Sequence, residues 1–332
     1  MPAIEAHGLG KIYRTYKKEP GLRGAVKGLF VRKYEELAAA SDVSFSIEEG
    51  EFVGFLGPNG AGKTTVLKML AGLLHPTTGT ASVLGFTPWL RQDALKRQFA
   101  LLLGNKNALW WDLPARESLE LNRAIYGIEQ TKYQRIVDEL TALLDVRDKL
   151  NIMVRELSLG ERMKMELIAA LLHQPRVLFL DEPTIGLDVM SQRKVREFLR
   201  HYNLEQKITI VLTSHYMQDI EELCPRVLVI DHGKLFFDGP LDDIVERFAS
   251  YKILSLTFSD NQPHDLSAYG TVLDTQPGMA RLRIEKNKIA GVTRELLGRL
   301  PLSDFGVAEV PIEDILSEVF TTQQQATARQ SS

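Results

Sequence analysis

The chain has almost no cysteine, no long apolar run and no excess of either charge. Its one cysteine, Cys224, excludes an internal disulfide, and a reducing cytosol fits. No run is apolar for the length that a bilayer-spanning helix needs, and no signal peptide is expected. Any work at a membrane is therefore expected from its cytoplasmic side, through a partner. With 40 Lys and Arg against 43 Asp and Glu, the net charge of −3 gives no global footing for nucleic acid. What is there is an ordinary globular composition, 44% hydrophobic and 25% charged over 332 residues, enough for one large domain and a smaller one.

The most informative stretch is Gly57-Pro58-Asn59-Gly60-Ala61-Gly62-Lys63-Thr64-Thr65. The apolar run Phe52–Leu56 before it reads as a buried parallel strand, and Val66–Leu73 after it reads as a helix. Strand, glycine-rich loop, Lys-Thr and helix together make a P-loop for a nucleoside triphosphate. Glycines let backbone N–H groups crowd around phosphates, and the helix N-terminus adds favourable dipole charge. Gly57, Asn59, Gly60, Ala61, Gly62 and Thr65 complete the cradle. Lys63 is expected at the β/γ-phosphates, and the Thr64 hydroxyl on Mg²⁺.

A P-loop alone leaves kinases, GTPases, helicases and transport ATPases open. Arg176–Pro183 is an apolar strand ending in two acids and resembles a Walker B motif. Asp181 would hold Mg²⁺, directly or through water, and Glu182 would polarise an attacking water. Read alone, the same residues are a strand ending in a solvated turn; the P-loop upstream favours the catalytic reading.

Leu157-Ser158-Leu159-Gly160-Glu161-Arg162 opens a helical run ahead of that strand. By itself Ser158 is an ordinary helix N-cap. Between the two phosphate motifs, the segment resembles the signature of the ATP-binding cassette (ABC) ATPases, usually Leu-Ser-Gly-Gly-Gln. Thr184–Asp188 resembles the D-loop of that family, and Ile208–His215 its H-loop. The resemblance covers about residues 4–240, with five motifs in family order. It implies that Ser158 and Gly160 face the γ-phosphate held by a second subunit. It also implies that Asp188 reaches across the dimer and that His215 contacts the γ-phosphate. Leu159 and Glu161 depart from the pattern, and Glu161 brings negative charge near a triphosphate.

Two further family positions are less regular. The Q-loop Gln is replaced by Asn105, one methylene shorter, which reaches Mg²⁺ through water or not at all. The adenine-stacking aromatic is expected at Tyr13, with Tyr16 and Tyr34 as alternatives across an insertion, roughly Lys17 to Leu37. That basic insertion reads either as an interfacial or partner-binding helix or as a surface helix with a solvated charged face. Gly21, Gly24 and Gly28 weaken the helix. Trp110 and Trp111 cannot share one helix face, so either one is exposed as an interface anchor or both are core. Together with the signature and Pro183–Asp188, they resemble a bacterial branch of ABC-2-type ATPases paired with separately encoded permeases.

The expected fold class is α/β. It comprises a P-loop ABC ATPase core, with a RecA-like sheet and antiparallel β and helical subdomains, plus a small C-terminal α+β domain. The nucleotide-binding domain is placed at 1–240, with its helical part at about 105–172. An accessory domain is placed at 250–322 and a disordered tail at 323–332. The resemblance implies the ATP-binding, ATP-hydrolysing subunit of an exporter, with ATP and Mg²⁺ as cofactors. Its partners would be permease subunits and a second copy of the chain, at the cytoplasmic face of the membrane. The rival readings are a non-transport ABC ATPase of repair or translation, whose coiled-coil insertion or second cassette is lacking here, and a regulatory module that binds ATP without turning it over.

Overall fold

The computed structural model describes residues 2–16, 34–104, 108–214, 216–260, 262, 264–318, 320 and 321. It divides into two compact units, Met1–Gly239 and Pro240–Ser332. Among the described residues no helix is long and apolar enough to cross a membrane.

In the first unit, β1 (Pro2–Tyr16) and β2 (Tyr34–Glu48) pair antiparallel. β3 (Phe52–Leu56) then leads through the P-loop into α1 (Lys63–Leu70). β4 (Thr78–Val83) returns to the other side of β1, giving a three-stranded sheet in the order β2-β1-β4. The one-turn helix α2 (Asp93–Lys96) precedes β5 (Phe99–Leu103). Helices α3 (Ala115–Tyr126), α4 (Gln130–Leu144) and α5 (Leu159–Leu171) follow. The chain then alternates: β6 (Val177–Asp181), α6 (Val189–Gln206), β7 (Thr209–Thr213), α7 (Met217–Leu223), β8 (Arg226–Asp231) and β9 (Lys234–Pro240).

The larger sheet runs β5-β6-β7-β3-β8-β9, with β5 through β8 parallel. Strands β3, β6 and β7 are buried along their whole length. Their continuous apolar sequences are what a parallel strand covered on both faces requires. One core joins the two sheets through α1: Ile4, Leu9 and Ile47 pack with Phe55, Leu67 and Phe179. This packing sets the C-terminal ends of β3, β6 and β7 side by side.

In the second unit, α8 (Leu241–Phe248) precedes β10 (Tyr251–Phe258), β11 (Thr271–Gln276), β12 (Met279–Glu285), α9 (Ile289–Arg299) and β13 (Leu302–Ala308). The antiparallel order is β11-β12-β10-β13. Alternating Leu254, Leu256, Leu282 and Ile284 meet Leu296 of α9 on one face. β13 pairs with β10 so that Phe305 lies opposite Leu256, and the pairing ends at Ala308. β11 was not expected, since all six of its residues are exposed and it lacks a buried apolar face. The last helical residues described are 312–318, 320 and 321.

Of the insertion, residues 34–37 already belong to β2, while 17–33 lie outside the described residues, as do Asn105, His215 and the tail from 322.

Candidate functional site

The P-loop crosses from β3 to α1 so tightly that only glycine fits at its turn. Gly62 has φ +107°, and a Cβ there would lie 2.1 Å from Ala39 O. Lys63, at the start of α1, is buried, and its Nζ donates to Gly57 O at 2.6 Å and Pro58 O at 3.1 Å. Burial lowers its pKa, opposed by the charges of Glu182 and Asp181. The ammonium is thus held inside the loop by two carbonyls that a phosphate can replace.

Thr64 follows on α1. Its Oγ1 donates to both oxygens of Asp181, at 3.1 and 3.0 Å. Thr213, at the end of β7, donates from Oγ1 to Asp181 Oδ1 at 2.7 Å. Two hydroxyls therefore converge on one carboxylate at the shared strand edge. Glu182 comes next, with φ +57°, a left-handed backbone that a non-glycine residue rarely holds. Its N–H donates to Thr213 O at 3.0 Å and to Thr213 Oγ1 at 3.2 Å, which fixes that conformation.

The residues fit a magnesium ion. Thr64 and Asp181 are hard oxygen donors at one point, the set Mg²⁺ takes alongside substrate phosphates. Among the described residues no group of three or more His, Cys, Asp or Glu could hold a metal without such help.

The signature forms the N-terminus of α5. Ser158 and Glu161 make a reciprocal capping box. Ser158 Oγ accepts from Glu161 N at 3.3 Å, and Glu161 Oε2 accepts from Ser158 N at 2.9 Å. Glu161 Oε1 also pairs with Lys149 Nζ at 3.2 Å. The bond from Ser158 N lowers the Glu161 pKa, and Lys149 adds to this. The negative charge that the signature's departure introduces is therefore used as a cap and partnered by Lys149.

Gly160 abuts the start of α6 so closely that a Cβ would lie 2.5 Å from Ser191 Oγ. Asp188 caps α6, accepting from Ser191 N at 2.9 Å and Ser191 Oγ at 2.7 Å. Leu159 covers Gly186, whose Cβ would lie 3.0 Å from Leu159 Cδ2. Signature and D-loop thus pack on each other within one chain. Ile185, Val189 and Met190 beside them are exposed, and Leu159 remains 38% exposed.

Tyr13 is exposed on β1 opposite Leu37, roughly 7 Å along the strand from Ala39, whose carbonyl abuts Gly62. The Lys11 ammonium lies 5.7 Å from the centre of the Tyr13 ring; the side chains of Tyr16 and Tyr34 lie outside the described residues. Both tryptophans are exposed, Trp110 at 59% and Trp111 at 44%, which removes the both-core alternative. The Arg162 guanidinium lies 5.1 Å from the Trp111 ring centre.

Next to this segment, a cavity of about 320 Å³ lies between β5, α3 and α5. Buried Glu166 reaches it and accepts from Ala108 N at 2.8 Å and Leu109 N at 3.3 Å. Burial raises the Glu166 pKa against those two bonds. Thr213 lies inside the H-loop stretch, but only the fold shows that it contacts Asp181; Glu166 and Lys149 carry no motif of their own, and only the fold shows their partners.

A phosphate loop, a carboxylate edge and a capped second helix on an α/β sheet define a P-loop ATPase cassette. Comparison with known proteins agrees. The family described as "ABC transporter" matches residues 40–185, and "EvrA-like ABC transporter, C-terminal domain" matches residues 250–308. ABC transporter ATP-binding protein NatA of Bacillus subtilis (strain 168) is 37% identical over 217 residues, 65% of this chain and 88% of that protein. Nod factor export ATP-binding protein I of Rhizobium etli is 32% identical over 237 residues, 71% of this chain and 74% of that one. A solved ATP-binding subunit of an ABC transporter superposes with TM-score 0.61 at 25% identity, over 74% of this chain and 93% of that one. The chain belongs to the ABC transporter family of ATPases.

Proposed function

We propose that the chain is the ATP-hydrolysing subunit of an exporter. It drives separately encoded permease subunits from the cytoplasmic face of the membrane, as a head-to-tail dimer with a second copy of itself. The observation that carries the site assignment is the convergence of Thr64 and Thr213 on Asp181, beside buried Lys63. The export direction draws on the name of the Rhizobium etli relative.

In this reading ATP displaces the Gly57 and Pro58 carbonyls from Lys63, whose charge then meets the β/γ-phosphates. Thr64 and Asp181 would hold Mg²⁺, which neutralises charge developing on the phosphates. Glu182, set by its left-handed backbone, orients water toward the γ-phosphate, and His215 contacts that phosphate. One P-loop and one signature per chain, each on its own element, suit composite sites in which Ser158 and Gly160 of one subunit close over ATP on the other. The exposed Leu159, Ile185, Val189 and Met190 suit that contact. Exposed Trp110 and Trp111 suit permease docking, and Tyr13 suits adenine stacking. Asn105 belongs to the same reading as a weak substitute for the Q-loop Gln.

Steady-state ATPase assays on the purified chain and its Glu182→Gln variant test this. Hydrolysis that the variant abolishes while keeping ATP binding supports it; hydrolysis unaffected by the variant removes Glu182 from its role. ATP binding without any wild-type turnover would favour the regulatory module instead.

A further inference from the structure

Asp219 on α7 is 0% exposed, yet it lies in none of the nucleotide motifs. Its Oδ1 accepts from Arg196 Nη1 of α6 at 3.0 Å. Its Oδ2 accepts from Ser214 Oγ at 2.6 Å and, in a shorter bond, from Thr184 Oγ1. Ser214 Oγ in turn accepts from Tyr216 N at 3.0 Å. Arg196 is 2% exposed, and its Nε lies 3.2 Å from Glu222 Oε2, an ion contact. One carboxylate thereby ties together the turn after β6, the end of β7, the start of α7 and the body of α6.

Placement gives this cluster more than a packing role. Thr184 opens the D-loop stretch, two residues after Glu182 and four before Asp188. Ser214 and Tyr216 flank position 215. An apolar cluster of the same volume would hold these elements at lower desolvation cost. Hydrogen bonds add direction: they fix the Thr184 hydroxyl, and so the path of the chain from Glu182 to Asp188, relative to β7.

We propose that Asp219 is a positioning residue for ATP hydrolysis. Acting through Thr184 and Ser214, it locks the Glu182 turn and the D-loop to the end of β7, so that they move as one unit when a second subunit closes. This rests on the transport-ATPase reading above.

The test uses the full chain with Thr184→Val, which keeps volume and leaves the Arg196–Asp219 pair intact, and Thr184→Ser, which restores the hydroxyl. ATP affinity by calorimetry, kcat, KM and the thermal midpoint are measured for each, beside wild type and Glu182→Gln. Thr184→Val is expected to lower kcat by about tenfold or more, the scale on which misplaced groups cost rate. KM and ATP affinity stay within about twofold, the signature of an interaction that matters only in the transition state. Thr184→Ser recovers most of kcat. Ser214→Ala removes the second donor and gives the same kcat-only loss should Thr184→Val fail to fold.

Wild-type kcat in a folded Thr184→Val, or a loss that Thr184→Ser does not recover, overturns the proposal. If wild type hydrolyses ATP and Glu182→Gln does not, such a result sinks only the role of Asp219. If wild type itself does not hydrolyse ATP, the transport-ATPase reading fails first and this inference with it.

Discussion

Thr64 and Asp181, 117 residues apart in sequence, meet where Thr64 Oγ1 donates to both oxygens of the Asp181 carboxylate at 3.1 and 3.0 Å. In the proposed reading this hydroxyl would turn from the carboxylate to Mg²⁺ when ATP binds. Asp181→Asn keeps the shape but loses the charge that attracts the cation. Magnesium-dependent ATPase activity should fall by about 100-fold or more, on the scale of a lost electrostatic stabiliser. ATP binding measured in EDTA should change little. Equal loss of binding with and without Mg²⁺ would remove Asp181 from the metal.

Lys63→Ala removes the ammonium now held by Gly57 O and Pro58 O. ATP affinity itself should drop, read by calorimetry, because the charge at the β/γ-phosphates goes. The fold should tolerate the change, since the hydrogen bonds lost are two from the ammonium to carbonyls of its own loop. An unchanged affinity would contradict the phosphate-loop assignment.

Glu161 joins the signature cap to Lys149. Glu161→Ala removes the acceptor for Ser158 N and should cost roughly 0.5–2 kcal/mol of stability, read by urea unfolding. Glu161→Gln keeps an acceptor for the cap and loses only a solvent-screened ion pair, a smaller loss. ATP-dependent self-association should weaken in Glu161→Ala more than in Glu161→Gln, because the Ser158 hydroxyl loses its fixed direction. The reverse order would separate the cap from the interface.

His173 stacks on Tyr126 at 4.0 Å, and burial lowers its pKa below the ordinary 6.5. The native state therefore favours neutral imidazole, while the unfolded chain takes up the proton first as pH falls. Stability from this group is fully present above 6.5 and declines as pH falls through the folded pKa. Glu166, lining the same cavity with a raised pKa, contributes the opposite slope at lower pH. His173→Phe keeps the stack and leaves Glu166 in place. The thermal midpoint of wild type should fall more than that of the variant between about pH 7 and pH 5.5. Parallel curves would show that His173 does not titrate in the window.

The phosphate site is legible in sequence because its chemistry forces residue types at fixed spacing. Gly62 must be glycine where Ala39 O leaves no room, and Asp181 must end an apolar strand. The parallel strands are legible for a similar reason: burial on both faces leaves only apolar residues. Asp219 is not. Gln218–Glu222 reads as a solvated acidic turn, and nothing local says that Arg196, 23 residues earlier, will neutralise it. Lys149 is equally silent, an exposed-looking lysine whose partner Glu161 comes from another element. β11 escapes notice because an edge strand with both faces exposed has no period-two pattern to read.

The most direct measurement is an interchain disulfide between Asn59→Cys on the P-loop and Leu159→Cys on the signature, in the Glu182→Gln background that holds ATP unhydrolysed. Asn59 and Leu159 are exposed, and the native Cys224 is buried, with its thiol pKa raised by that burial. A head-to-tail dimer predicts a covalent dimer that forms with ATP and Mg²⁺, and not without nucleotide. No crosslink with ATP bound, or one that forms equally without it, would contradict a site shared between two copies of the chain.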